Sequence, residues 1–67
     1  MKELGDKIQN LRKESGLGQV EFAKRAGVGL RFLRELEQGK TTVRLDKVEK
    51  VLSFLGCHLE IIRNARQ

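Results

Sequence analysis

A chain of 67 residues with 39% apolar side chains, three phenylalanines and no tryptophan, tyrosine or proline has room for one small domain around one modest core. Such a length buries only roughly 60% of its unfolded surface, which disfavours most enzymes and favours association with a second copy. Fourteen Lys and Arg against nine Asp and Glu leave a formal charge of +5, spread along the chain with no basic tail, and suit a polyanionic partner.

Leu4, Ile8 and Leu11 recur at i, i+4 and i+7, which predicts an amphipathic helix over residues 2–15 closed by Gly16. After the break GLG, Val20, Ala23 and Ala26 share one face of a short helix from Gln19 to Ala26, stopped by Gly27. Leu33 and Leu36 define another short helix, Leu30 to Gln38, ending at Gly39. The segment GKTTVR reads as a loop. Leu45, Val48, Val51, Leu52 and Leu55 then resume helical spacing up to Gly56, with Asp46 and Glu49 near the positive end of the helix dipole.

Beyond Gly56 the period changes. Cys57, Leu59 and Ile61 alternate with His58, Glu60 and Ile62, a pattern that predicts one short β-strand. A lone strand has no partner in its own chain. The same strand of a second copy would satisfy its backbone groups most economically, so a homodimer is expected, with Cys57, Leu59 and Ile61 on the pairing strand.

The single cysteine cannot close an internal disulfide, and no Cys or His recurs at metal-ligand spacing. The expectation is a reducing, cytoplasmic setting with no metal and no cofactor. The opening residues MKELGDKIQNLRKESG alternate charges with apolar side chains, and no apolar run approaches about 18 residues. Neither a signal peptide nor a membrane span is therefore expected.

Function concentrates in residues 19–40, QVEFAKRAGVGLRFLRELEQGK. Counted from Gln19, small or apolar residues fall at the fourth, fifth, eighth, tenth, fifteenth and eighteenth places, and Gly27 at the ninth. Two helices crossing at roughly 90 to 120° need a small residue where they approach and a turn residue that tolerates positive φ. Ala23 and Gly27 supply these.

With its first helix, GLGQ and ELEQGK, nearly the whole chain resembles the Cro/cI-type, or lambda-repressor-like, helix-turn-helix regulators. RFLRELEQG, TVRLD and GCHLEII are most similar to the HipB-type antitoxin and repressor group within that family. The resemblance implies an all-α bundle of four to five short helices, with residues 1–56 as the DNA-binding domain. Residues 57–67 would be a dimerisation strand and tail.

With Leu33 and Leu36 turned inward, Arg31, Arg34, Glu35 and Gln38 point the other way at about 100° per residue. The resemblance implies that this face enters a major groove, with Gly29, Leu30, Arg31, Arg34 and Glu35 near base edges. Arg31 has the chemistry to donate twice to guanine, and Leu30 could touch a thymine methyl. The resemblance further implies phosphate contacts by Gln19, Lys24, Lys40, Thr41, Thr42 and Arg44. Gln19 would also bond to the recognition helix. Arg12 and Glu37 correspond to a buried ion pair tying the first helix to that helix. Gly18 and Gly29 stand where the family usually has a Ser or Thr cap, and Gly29 shortens any contact at the first reading position.

Blander readings apply to the remaining candidates. Phe32, at the edge of an apolar face, reads as a packing residue, because one aromatic does not make a stacking platform for bases. Cys57 and His58 are adjacent on the expected strand, point to opposite faces and cannot share a site. Glu35 and Glu37 diverge on their helix, Ser15 and Ser53 lack a histidine partner, and GLGQ and GVGL lack the strand and lysine of a nucleotide loop. Catalysis is not expected. The implied function is a dimeric repressor of its own operon, bound to a double-stranded DNA operator with inverted-repeat half-sites. The alternative is an antitoxin that neutralises a HipA-type toxin kinase while repressing its own operon.

Overall fold

Apolar residues at helical spacing leave each helix of this chain one stripe to hide, and the stripes converge. In the computed structural model, which describes residues 2–65, the helices are α1 (Lys2–Glu14), α2 (Gln19–Ala26), α3 (Leu30–Glu37) and α4 (Leu45–Phe54). The end residues of the two expected units, Met1, Arg66 and Gln67, lie outside the described residues. Ile8 of α1, Phe22 and Ala23 of α2, Leu33 and Leu36 of α3, and Val48, Val51 and Leu52 of α4 form one core. Phe22 is its largest side chain, and the Phe54 ring meets it edge-on at 5.1 Å.

The helix ends follow the punctuation of the sequence. Gly16, Gly27, Gly39 and Gly56 all have positive φ just past a helix. Gly27 matters most, because it makes the turn between α2 and α3. At φ +80° its N–H and that of Val28 both donate to the Ala23 carbonyl, each at 3.0 Å, so the chain reverses without orphaning the end of α2. Ala23, 2% exposed, presents only a methyl group to the core at that point.

Gly18 and Gly29 cap α2 and α3 in extended conformations, with φ −75° and −73°, and make no side-chain cap bond. A Cβ at either would meet nothing within 4 Å. Gly18→Ser should therefore stabilise the fold by about 0.5–1 kcal/mol. Its hydroxyl would accept from the first turn of α2, with Glu21 three residues on completing a capping box, and the unfolded chain would lose a flexible glycine. Thermal denaturation would check this, and an unchanged or lowered midpoint would count against the capping geometry.

Among the described residues there is no strand. Residues 57–65 form neither helix nor ladder within the single chain, so the expected C-terminal strand and its pairing across a dimer are not shown. Cys57 is half-buried at the margin of its own core, its N–H bonded to the Leu52 carbonyl at 2.7 Å. Leu59 is 41%, Ile61 100% and Ile62 78% exposed.

Candidate nucleic-acid interface

Burial of Leu33 and Leu36 dictates what α3 presents to solvent. Arg31, Arg34 and Gln38 are exposed, Leu30 and Glu35 are half-buried, and Gly29 sits exposed at the helix start. The five residues expected at base edges therefore all lie between Gly29 and Glu35, on α3 and its cap, with Phe32 and Leu33 turned to the core between them. Phe32 lies at the margin of the core, as its packing role requires, and the Lys47 ammonium stands 5.9 Å from its ring centre.

The face is tied down from behind by a chain of polar groups that crosses three helices. Arg12 and Glu37, 25 residues apart, form a buried, two-pronged ion pair: Nε donates to Oε2 at 2.7 Å and Nη2 to Oε1 at 3.0 Å. The third donor, Nη1, reaches the Leu17 carbonyl at 2.9 Å and so fixes the loop that leads into α2. Glu37 Oε1 also accepts from Gln19 Nε2 at 3.1 Å, and Gln19 Oε1 accepts from Arg34 Nε at 3.4 Å. The chain runs outward from the buried pair Arg12 and Glu37 through half-buried Gln19 to exposed Arg34. Among the described residues no buried side-chain polar atom lacks a partner. The Glu37 bond raises the Arg12 pKa above its already high ordinary value, against the opposing effect of burial.

Glu35 holds the exposed side of α3 in a similar way. Its carboxylate lies 3.2 Å from Lys40 Nζ and 3.4 Å from Arg31 Nε. The Lys40 hydrogen bond, and then the charges of Lys40 and Arg31, hold its carboxyl below the usual carboxylate range. Arg31 nevertheless keeps 92% of its side chain exposed, so its remaining guanidinium donors are free to reach outward.

The expected phosphate-contacting residues gather around this face to different degrees. Gln19 is half-buried at the start of α2. Lys24, Lys40, Thr41, Thr42 and Arg44 are all exposed, the last four in the loop between α3 and α4. Arg44 is already engaged at the N-terminus of α4, where it grips Asp46 through Nη2 at 2.8 Å and Nε at 3.2 Å and pulls the Asp46 carboxyl below its usual range. That pairing was legible only as two opposite charges two residues apart, and nothing in the spacing distinguished it from a solvated pair.

Two contacts escaped the sequence reading. One is the Leu17 carbonyl held by Arg12. The other is Gly5, buried in α1 where that helix crosses the end of α3: a Cβ there would collide with the Leu36 carbonyl oxygen and approach that of Glu37 to 2.9 Å.

Against known proteins, this arrangement has a clear counterpart. The helix-turn-helix family HTH_3 matches residues 8–62. The chain belongs to the Cro/cI-type helix-turn-helix family. A relative from Sinorhizobium fredii (strain NBRC 101917 / NGR234), named an uncharacterized HTH-type transcriptional regulator, y4mF, is 47% identical over 60 residues, 90% of this chain and 79% of its own length. A solved chain called MDT Protein shares the fold, with a TM-score of 0.79 at 21% identity over 92% of this chain and 87% of that one. Neither family nor relative singles out the HipB-type group, and the relative carries the name of a regulator rather than an enzyme. Within this helix-turn-helix chain, α2 and α3 are the paired helices, and Gly27 to Gly29 is the turn between them. No described helix is long and apolar enough to cross a membrane.

Proposed function

We propose that the protein is a sequence-specific, double-stranded-DNA-binding transcription regulator that acts in the cytoplasm as a dimeric repressor. The observation that carries this reading is the exposed face of α3. Arg31 and Arg34 project from a helix whose opposite side is locked into the core, and Arg34 is held through Gln19 and Glu37 to buried Arg12. Rigid placement is what base readout needs, because a guanidinium must meet guanine O6 and N7 together. In this reading Gly29, Leu30, Arg31, Arg34 and Glu35 approach base edges. Gln19, Lys24, Lys40, Thr41, Thr42 and Arg44 set the register on phosphates, and the formal charge of +5 supplies the sequence-independent attraction.

Residues 1–56 form the DNA-binding unit and residues 57–67 the dimerisation tail. Pairing of the tails through Cys57, Leu59 and Ile61 would give the dimer two copies of α3. Held about 34 Å apart, these would enter successive major grooves of an inverted repeat. Repression would follow from occluding a promoter that overlaps the operator.

The test is selection from a random duplex pool, followed by titration of the enriched site at several salt concentrations. Enrichment of an inverted repeat is the expected result; a pool that never enriches would sink the reading. On the enriched site, Arg31→Ala should weaken binding about tenfold to hundredfold, while binding to unrelated duplex falls by only a few-fold. Equal losses on both duplexes would refute direct readout by Arg31.

A further inference from the structure

On the helices is a groove of about 510 Å³, lined by Leu11 and Glu14 of α1, Leu17 of the next loop, Arg25 of α2, and Phe54 and Leu55 at the end of α4. None of these is a candidate DNA contact. Its surface is mixed: Leu11, Leu17 and Leu55, only half-buried, and Phe54, 41% exposed, supply the apolar part, and Glu14, Ser15 and Arg25 the polar part. Two charges of opposite sign stand on it. Glu14 belongs with Leu11 one turn earlier on α1. Arg25 lies one turn on from Phe22, whose ring meets Phe54, so Arg25 and Phe54 are neighbours. Arg25 also pairs with Glu21 at 2.8 Å, but both side chains are at least half exposed and an i, i+4 pair of this kind is easily exchanged.

The exposed tail carries the complementary pattern. Glu60, Ile61, Ile62 and Arg63 follow one another, and in an extended chain alternate residues face opposite ways. Glu60 and Ile62 then share one face, and Ile61 and Arg63 the other. The first face matches Arg25 and Phe54, and the second matches Glu14 and Leu11. Each pair offers one apolar contact and one opposite charge.

We propose that the groove receives the segment Glu60–Arg63 of a second copy of the chain, an inference that rests on the dimer reading above. The chain's own tail is poorly placed to fill it. Leu55 already stands on the groove, Gly56 turns at φ +76° and Cys57 bonds back to Leu52, and from there Ile61 would have to come back to the groove through His58, Leu59 and Glu60, none of which favours a tight turn. An outgoing tail meets a partner's groove without that reversal. Reciprocal insertion would bury the apolar groups most exposed in the single chain, Ile61 and Ile62, twice over.

The experiment is a charge exchange in the full-length protein, read by sedimentation equilibrium. Glu14→Arg alone and Arg63→Glu alone should each weaken dimerisation about tenfold or more, because a like-charge contact is created twice in a symmetric dimer. The two substitutions together should restore it. A wild-type chain that is monomeric at micromolar concentration would overturn both this proposal and the dimer reading. A stable dimer indifferent to the single reversals, or not rescued by the double, would overturn the groove while leaving the dimer intact. Cross-linking gives a second reading: with Cys57→Ser, the pair Glu14→Cys and Arg63→Cys should oxidise to a covalent dimer. An intrachain disulfide would refute insertion into a partner.

Discussion

Glu37→Ala should cost about 3–5 kcal/mol of stability, a large part of the roughly 5–15 kcal/mol that holds a small domain folded. The size of the effect comes from what remains. Arg12 is 6% exposed, and without Glu37 its guanidinium keeps only the bond to the Leu17 carbonyl. A guanidinium cannot shed its charge at accessible pH, so the stranded cation must either stay desolvated or drag α1 away from α3 to find water. Gln19 would lose its acceptor in the same step, and with it the anchor that orients Arg34. Arg12→Ala should be milder, because the surviving carboxylate keeps the Gln19 bond. Replacing both members, as Arg12→Met with Glu37→Leu, should recover much of the loss, since an apolar pair of similar volume has no charge to strand. Urea denaturation of the four proteins would measure this. A Glu37→Ala loss below about 1 kcal/mol, or a double variant as unstable as the single, would refute the stranded-charge account.

What the sequence revealed and what it hid divide along the range of the interaction. The helices were legible to within one or two residues, because the spacing of Leu4, Ile8 and Leu11 and of Val48, Val51 and Leu52 is local, and each helix ends at a glycine that does adopt positive φ. The outward face of α3 followed from Leu33 and Leu36 alone. The bond between Arg12 and Glu37 spans 25 residues, so periodicity could not reveal it; only resemblance to a family pointed to it. The same holds for Gln19, which alone would be an ordinary surface amide. The tail shows a third case. Alternation in Cys57 to Ile62 is a strand pattern, yet a strand needs a partner, and the single chain has none to offer among its described residues. Arg44 and Asp46 were visible as charges, but their pairing at the start of α4 depends on the backbone turn between them.

Gly5 was missed because a glycine within a helical pattern ordinarily signals weakness, and at an exposed site Gly→Ala would stabilise a helix by about 1 kcal/mol. Here the sign should reverse. Gly5 is buried where α1 crosses the last turn of α3, and an added Cβ would strike the Leu36 carbonyl oxygen and crowd the Glu37 carbonyl carbon at 3.1 Å. These are backbone atoms at the end of a helix, unable to swing aside as a flexible side chain would. Relief requires α1 and α3 to part, yet the same two helices are clamped seven residues further along α1 by Arg12 and Glu37. Gly5→Ala should therefore destabilise the fold by about 3 kcal/mol, near the top of the usual range for overpacking, and lower the thermal midpoint by roughly 12–24 °C. Gly18→Ser provides the contrast, since that position is open and should gain stability. Circular dichroism melts of the two variants would decide the matter. A Gly5→Ala midpoint at or above wild type would show that α1 and α3 approach less closely than Gly5 allows, and the route by which Glu37 reaches Arg12 would need to be redrawn.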